Sequence, residues 1–235
     1  MYQLRHKVRY SEISSDKFVN IAQIVNYLQD CSTFESVSVG DDLEHLEEKG
    51  CAWLLAAWQI EVRRYPKLAE DIVISSWHSN HKGVLANRNF EICDQEGNQM
   101  VAANSIWFYY DLERKAPRRI SQEYVDQYGQ REPLEMDYKP RRIKVPAITG
   151  REEASFPVRK SDLDTNGHVN NAKYVRMAWE YVENRKIQAM RVEYRIAALY
   201  GDDIFPVVYE EENKMYVELR NKEKEVFVIV EFEFE

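Results

Sequence analysis

The chain has 235 residues, 44% hydrophobic and 12% aromatic, so it holds enough apolar material for one large or two small cores and is not a disordered protein. A formal charge of −8 leaves the whole chain without the electrostatic footprint of a nucleic-acid binder. No apolar run approaches the roughly 20 residues of a membrane span, and the start, Met1-Tyr-Gln-Leu-Arg-His-Lys7, lacks the apolar stretch of a secretory signal.

In chain order, the first element is a helix over Lys17–Leu28, where Phe18, Ile21, Ala22, Val25 and Leu28 recur at helical spacing and Ser14, Ser15 or Asp16 can cap the start. An acidic run, Asp41-Asp-Leu-Glu-His-Leu-Glu-Glu48, follows, and then the apolar stretch Cys51–Ile60. Strands are expected at Ile72–Trp77, Phe90–Cys93 and Val101–Tyr110, with Asp94-Gln-Glu-Gly97-Asn98 as a hairpin tip and His78 and His81 in a polar loop. Glu113–Thr149 is rich in charge and proline and has no period, as a surface linker should be. A second helix is expected over Asn171–Val182 (Tyr174, Val175, Ala178, Trp179, Val182), capped by Asn170 or Asn171. Strands at Met215–Leu219 and Val226–Phe234, joined by Asn221-Lys-Glu-Lys224, close the chain.

The two halves resemble each other. Gln59–Val73 laid on Arg191–Phe205 at a constant offset of 132 matches Glu61 with Glu193, Arg63 with Arg195, Asp71 with Asp203 and Ile72 with Ile204. The helices align at an offset of 156, Phe18 on Tyr174, which gives the first copy an insertion of 24 residues around Thr33–Ala52. Each half is then one helix with several antiparallel strands, an α+β pattern in which the sheet wraps the helix. The expected boundaries are 1–112, a linker 113–149, and 150–235.

Ser161-Asp-Leu-Asp-Thr-Asn-Gly-His-Val-Asn-Asn171 packs acids, amides and a histidine directly before the second helix. Singly these are ordinary turn and cap residues. Together they include the one side-chain type that exchanges a proton near neutral pH. The placement suits thioester hydrolysis: free N–H groups at the helix start, around Asn170 and Asn171, can stabilise a developing oxyanion. Asn166 and His168 can orient or activate water, and Asp164 can hold the histidine tautomer or act as a base.

Asp164-Thr-Asn166-Gly-His168-Val-Asn-Asn171-Ala-Lys-Tyr174 resembles the motif of the fatty acyl-acyl carrier protein thioesterases, which are two tandem hot-dog domains. Gln59-Ile-Glu-Val-Arg-Arg-Tyr-Pro66, Ala86-Asn-Arg-Asn-Phe90-Glu-Ile-Cys-Asp94-Gln-Glu-Gly97, Ser105-Ile-Trp107, Asp111 and Arg118-Arg119 are also similar to bacterial members. The resemblance implies release of free fatty acid from acyl carrier protein, with Asp164, Asn166 and His168 as the functional groups. It also implies an N-terminal domain that holds the acyl chain, and the first helix entry, Glu12–Asp16, has neither Asn nor His. One departure concerns mechanism. Plant members carry a Glu-Cys pair where this chain reads Ile196-Ala-Ala-Leu-Tyr-Gly-Asp-Asp203, so a cysteine nucleophile there is excluded and attack by water is expected. Asp202 or Asp203 can supply a second carboxylate, but the match of Asp203 with Asp71 favours a turn role.

The remaining features are blander. His6, His45, His78 and His81 have no zinc-ligand spacing, and there is no G-x-S-x-G, P-loop or GxGxxG, so neither metal nor cofactor is expected. Trp53, Leu55 and Trp58 are core residues that an acyl tunnel would have as lining. Arg114, Lys115, Arg118, Arg119, Arg141 and Arg142, with Lys139 and Lys144, form a basic cluster that would steer an acidic carrier protein. The odd cysteine count (Cys31, Cys51, Cys93) fits reduced thiols in the cytoplasm, and a homodimer is among the expected assemblies. The rivals to an acyl-carrier-protein hydrolase are an acyl-CoA thioesterase or dehydratase on the same fold and a non-catalytic acyl-binding regulator.

Overall fold

The computed structural model describes residues 1–183 and 185–235. The chain divides into two units, Met1–Ala56 with Ile60–Lys139, and Ala57–Gln59 with Pro140–Glu235.

The first unit is built on strands β1 (Tyr2–Lys7), β2 (Cys51–Val62, apart from Ala57–Gln59), β3 (Asp71–Lys82), β4 (Leu85–Cys93) and β5 (Gln99–Asp111), in the order β1-β3-β4-β5-β2, with the short β6 (Ala116–Pro117) beside β5. Its helices are α1 (Ile21–Ser38), α2 (Leu43–Glu48) and α3 (Gln122–Tyr128). Ile21, Ile24, Val25, Leu28 and Cys31 lie three or four apart, so they form one buried stripe, and α1 packs against β1 and β3. The sheet supplies the opposing layer through pairs such as Phe90 with Ala103 and Ile92 with Val101, all buried. At the β4–β5 tip the Asp94 carboxylate accepts from the N–H groups of Glu96 (3.1 Å) and Asn98 (2.8 Å), and Gly97 takes a left-handed φ of 86°.

The second unit has strands β7 (Arg151–Glu152), β8 (Phe156–Pro157), β9 (Ile187–Tyr194), β10 (Asp203–Glu210), β11 (Lys214–Arg220) and β12 (Val226–Phe234), in the order β9-β12-β11-β10-β7, with β8 on β10. Its helix α4 (Asn171–Trp179) packs on β11 and β12. Each unit is thus an antiparallel sheet around one principal helix, the α+β hot-dog arrangement. Gly150 leads into β7 without room for a side chain: a Cβ there would lie 2.5 Å from Val207 Cγ1 and 2.7 Å from the Tyr209 ring. Gly150→Ala is therefore expected to cost about 1–3 kcal/mol by overpacking, read by denaturant unfolding.

The internal repeat is closer than the sequence offset of 156 suggests. The loops before α1 and α4 correspond at an offset of 150, which sets Ser14, Asp16, Lys17, Phe18 and Asn20 against Asp164, Asn166, Gly167, His168 and Asn170. Both loops begin with a single tight helical turn, Tyr10–Glu12 or Lys160–Asp162, and both close by a bridge, Ile13 with Val19 or Leu163 with Val169. Ser14 N donates to Phe18 O (2.8 Å) as Asp164 N does to His168 O (2.7 Å), and Lys17 (φ 70°) stands where Gly167 (φ 75°) stands. The extra segment of the first copy is 18 residues, the difference between offsets of 150 and 132, and not 24.

This frame corrects the start of the first helix and the linker, while the second helix starts at Asn171 with Asn170 as its cap, as expected. Asn20, and not Ser14, Ser15 or Asp16, caps α1 by accepting from Gln23 N (2.9 Å); the earlier residues are held in the bridged loop. The helix then runs on to Ser38, while α4 stops at Trp179 short of Val182. The segment 113–149 is not a surface linker throughout. Ile120, Tyr124 and Val125 are buried with Leu46 and Cys51 in the first unit, and Ile143 is buried in the second, its N–H donating to Glu193 Oε2 at 2.8 Å. A helix of seven residues is too short to announce itself by periodicity.

His78, expected in a polar loop, is buried on β3 with its ring 5.7 Å from that of His81. Burial, and secondarily the His81 charge, pushes its pKa down to about 4. Only the unfolded chain takes up this proton between the usual value of about 6.5 and 4, so the contribution is lost as pH falls through that window. His78→Gln should flatten the acid limb of the stability curve by up to about 1.4 kcal/mol per pH unit, measured by urea melts from pH 4 to 7.

Candidate active site

The loop Leu163–Val169 is shaped by one carboxylate. Asp164 Oδ1 accepts from Asn166 N (2.8 Å) and His168 N (3.2 Å), and Gly167 N donates to Asp164 O (3.1 Å) at the left-handed turn. Asp164 therefore acts on the backbone of His168; among the described residues its carboxylate makes no hydrogen bond to the imidazole, the contact that holding the tautomer would need. Asp164 and His168 are half-buried and Asn166 is exposed, so all three are within reach of solvent beside the start of α4. Asn170 is the cap of α4: its side chain accepts from Ala172 N (2.9 Å), and its own N–H donates to Asp162 O (2.8 Å). Asn171 opens the helix and its carbonyl accepts from Tyr194 Oη (3.0 Å).

His168 is held from the other side by the turn after β9. Leu199 forms a bridge with His168, Ala198 O accepts from Val169 N (3.0 Å), and Ala198 N donates to Tyr174 Oη (2.7 Å). Asp202 caps that turn by accepting from Leu199 N at 2.8 Å, as Glu70 accepts from Lys67 N at 3.0 Å in the first unit, while Asp203 begins β10 just as Asp71 begins β3. Ile196, Leu199 and Tyr200 are 46%, 51% and 60% exposed and give the surface beside His168 an apolar character. Sequence reading missed the role of Tyr174 and the Ala198 turn. A tyrosine on the buried stripe of a helix was the available signal, since its hydroxyl must find a partner.

The other expected residues are distributed as follows. Trp53 joins Tyr109 (ring centroids 4.9 Å) and Tyr124 (5.7 Å), and its Nε1 donates to Tyr124 Oη at 3.1 Å. Leu55 and Trp58 are buried on the same strand, β2, but alternation along a strand sets Trp58 on the face opposite Trp53 and Leu55. Of the basic cluster, Arg114, Lys115 and Arg119 are exposed in the first unit, and Arg118 lies over the Tyr109 ring with Nη1 3.1 Å from Cys51 Sγ. Arg141 and Arg142 belong to the second unit. Cys31 and Cys93 are free thiols whose pKa values burial pushes up to about 12 and about 11, well above the range of a neutral-pH nucleophile. Among the described residues no group of three or more His, Cys, Asp or Glu is placed to hold a metal ion, and no helix is long and apolar enough to cross a membrane.

Comparison with known proteins agrees with this architecture. Residues 1–128 match the family description "Acyl-ACP thioesterase N-terminal domain" and residues 146–235 match "Acyl-ACP thioesterase C-terminal domain". The chain is 28% identical over 207 residues to the chloroplastic acyl-[acyl-carrier-protein] hydrolase FATB3 of Cuphea viscosissima, covering 80% of this chain and 50% of that protein. It spans about half the length of the curated relatives it matches. Among solved structures, an acyl-ACP thioesterase from Bacteroides thetaiotaomicron superposes with a TM-score of 0.90 at 25% identity, covering 99% of this chain and 97% of that one. The 12:0-ACP thioesterase from Umbellularia californica shares the fold, with a TM-score of 0.87 at 18% identity over 100% of this chain and 96% of that one. With both family descriptions matched in order over most of its length, the chain belongs to the acyl-ACP thioesterase family.

Proposed function

We propose that the protein hydrolyses fatty acyl thioesters of acyl carrier protein and releases the free fatty acid. The observation that carries this reading is the contrast between two loops of one geometry: the first bears Ser14, Asp16 and Phe18 where the second bears Asp164, Asn166 and His168. Only the second has the groups that water attack needs. His168 takes the proton of the attacking water, Asn166 orients that water, and Asp164 holds both residues through their backbone N–H groups. The oxyanion forms beside the N–H groups at the start of α4, around Asn170 and Asn171, where the helix dipole favours negative charge. Water oxygen bonds to the carbonyl carbon, the C–S bond breaks, and the thiolate leaves with the proton from His168. The first unit takes the acyl chain, with Trp53 and Leu55 among the lining. The buried, free thiols accord with a reducing compartment, which we take to be the cytoplasm.

Arg114, Lys115, Arg118 and Arg119 of the first unit form the patch that captures the acidic carrier. The double charge reversal Arg114→Glu/Arg119→Glu should raise KM for acyl carrier protein about tenfold at low salt, an effect that fades as salt screens it, and leave a neutral acyl-cysteamine thioester unaffected. The deciding experiment is free-acid release from acyl carrier protein and acyl-CoA substrates of graded length. A strong preference for acyl-CoA would reassign the substrate, and no release from either would end the hydrolase reading.

A further inference from the structure

The two copies differ in how they hold the turn behind the catalytic loop. At the 132 offset Ala198 falls on Pro66, and at the 150 offset Tyr174 falls on Ile24. The carbonyls at these turn positions do the same job: Val169 N donates to Ala198 O (3.0 Å) and Val19 N to Pro66 O (2.9 Å). The nitrogens differ. Proline has no N–H, so the first unit has nothing to satisfy there and fills the helix position with Ile24, 0% exposed. Ala198, also 0% exposed, does have an N–H, and an unpaired buried N–H is strongly unfavourable. Tyr174 Oη accepts it at 2.7 Å. A second hydroxyl follows the same rule: Tyr194, which stands where the first unit has Val62, donates to Asn171 O at the helix start (3.0 Å).

We infer that Tyr174 is a positioning residue, whose hydroxyl clamps Ala198 to α4 and thereby holds Leu199 against the backbone of His168. The inference rests on the reading of His168 as the group that activates water. Its physical content is a short chain of contacts, from Tyr174 Oη to Ala198 N and on through Leu199, which bridges His168, and through Ala198 O, which accepts from Val169 N. A helix residue thus sets the distance between the turn and the catalytic loop. Burial pushes the Tyr174 hydroxyl up to about 12, so it remains a neutral acceptor across the working pH range.

Tyr174→Phe keeps the ring and removes only the hydroxyl. It should lower kcat about tenfold with KM within twofold of wild type, and speed amide hydrogen exchange at Val169 and Ala198. Tyr174→Phe/Ala198→Pro removes the unpaired N–H as Pro66 does in the first unit and should recover at least half of the lost kcat. Wild-type kcat in Tyr174→Phe, or unchanged exchange at those two amides, would overturn the clamp. So would a double variant whose melting temperature recovers while its kcat stays at the single-variant level. His168→Ala separates the two ideas. If it abolishes turnover while Tyr174→Phe does not alter kcat, the clamp fails and the site stands. If it leaves turnover intact, the site fails, and hydrogen exchange in Tyr174→Phe still decides the clamp.

Discussion

His168→Phe is expected to lower kcat/KM on acyl carrier protein substrates by about 100- to 10,000-fold while leaving the fold intact, the range associated with loss of a positioned general base. Phenylalanine is the informative replacement because the protein already carries that substitution: Phe18 occupies the equivalent place in the first loop, on the same bridge and with the same left-handed residue before it. The loop is closed by main-chain bonds and by the Asp164 carboxylate, so the imidazole can be exchanged without removing a structural contact. Steady-state rates with melting temperature as the folding control check the prediction. A variant that melts as wild type and turns over as wild type would place the chemistry elsewhere. Asp164→Asn and His168→Phe should not be additive, since Asp164 acts by holding the backbone of His168.

Arg88→Met should destabilise the first unit by about 3–5 kcal/mol, the largest stability effect expected of a single substitution in this chain. Arg88 donates to Glu35 and to Ser76 Oγ (2.8 Å), Ser76 Oγ donates to the same Glu35 oxygen at 2.9 Å, and the guanidinium lies 5.2 Å from the Tyr128 ring centroid. Glu35 is buried inside the end of α1, and burial pushes Arg88 itself down to about 10. Removing the guanidinium leaves the carboxylate with Ser76 and an ammonium, that of Met1, 3.9 Å away. For a chain of this size the loss corresponds to a fall in melting temperature of about 6–20 °C. Arg88→Met/Glu35→Leu removes both charges and should recover most of it, because an absent ion pair costs less than half of one. If the double variant is no more stable than the single, packing around Arg88 and not the buried charge is the cause.

Much of the fold was legible because the information was local. Alternating Val, Ile and aromatic residues marked β3, β4, β5, β11 and β12, and Asp94 to Asn98 marked its hairpin through a side chain that bonds its own turn. The motif Asp164–Tyr174 marked the loop proposed as the site, and the 132 offset marked the duplication, because both are properties of adjacent residues. Helical spacing alone was a poorer guide to register: Phe18 matches the apolar period of α1, but it lies in the loop before Asn20, on the position of His168.

What the sequence determined by itself is the α+β class and the tandem arrangement, and it singled out the Asp164–Asn171 loop proposed as the site, since each follows from patterns within one turn, one strand or one repeat. What only the tertiary structure decided are partnerships across long separations. Arg88 meets Glu35 across 53 positions, Tyr124 meets Asp41 across 83, and Ala198 meets Tyr174 across 24. Burial creates those partnerships by stripping water from each polar group and so requiring a protein partner for it, and no periodicity along the chain records which partner that will be.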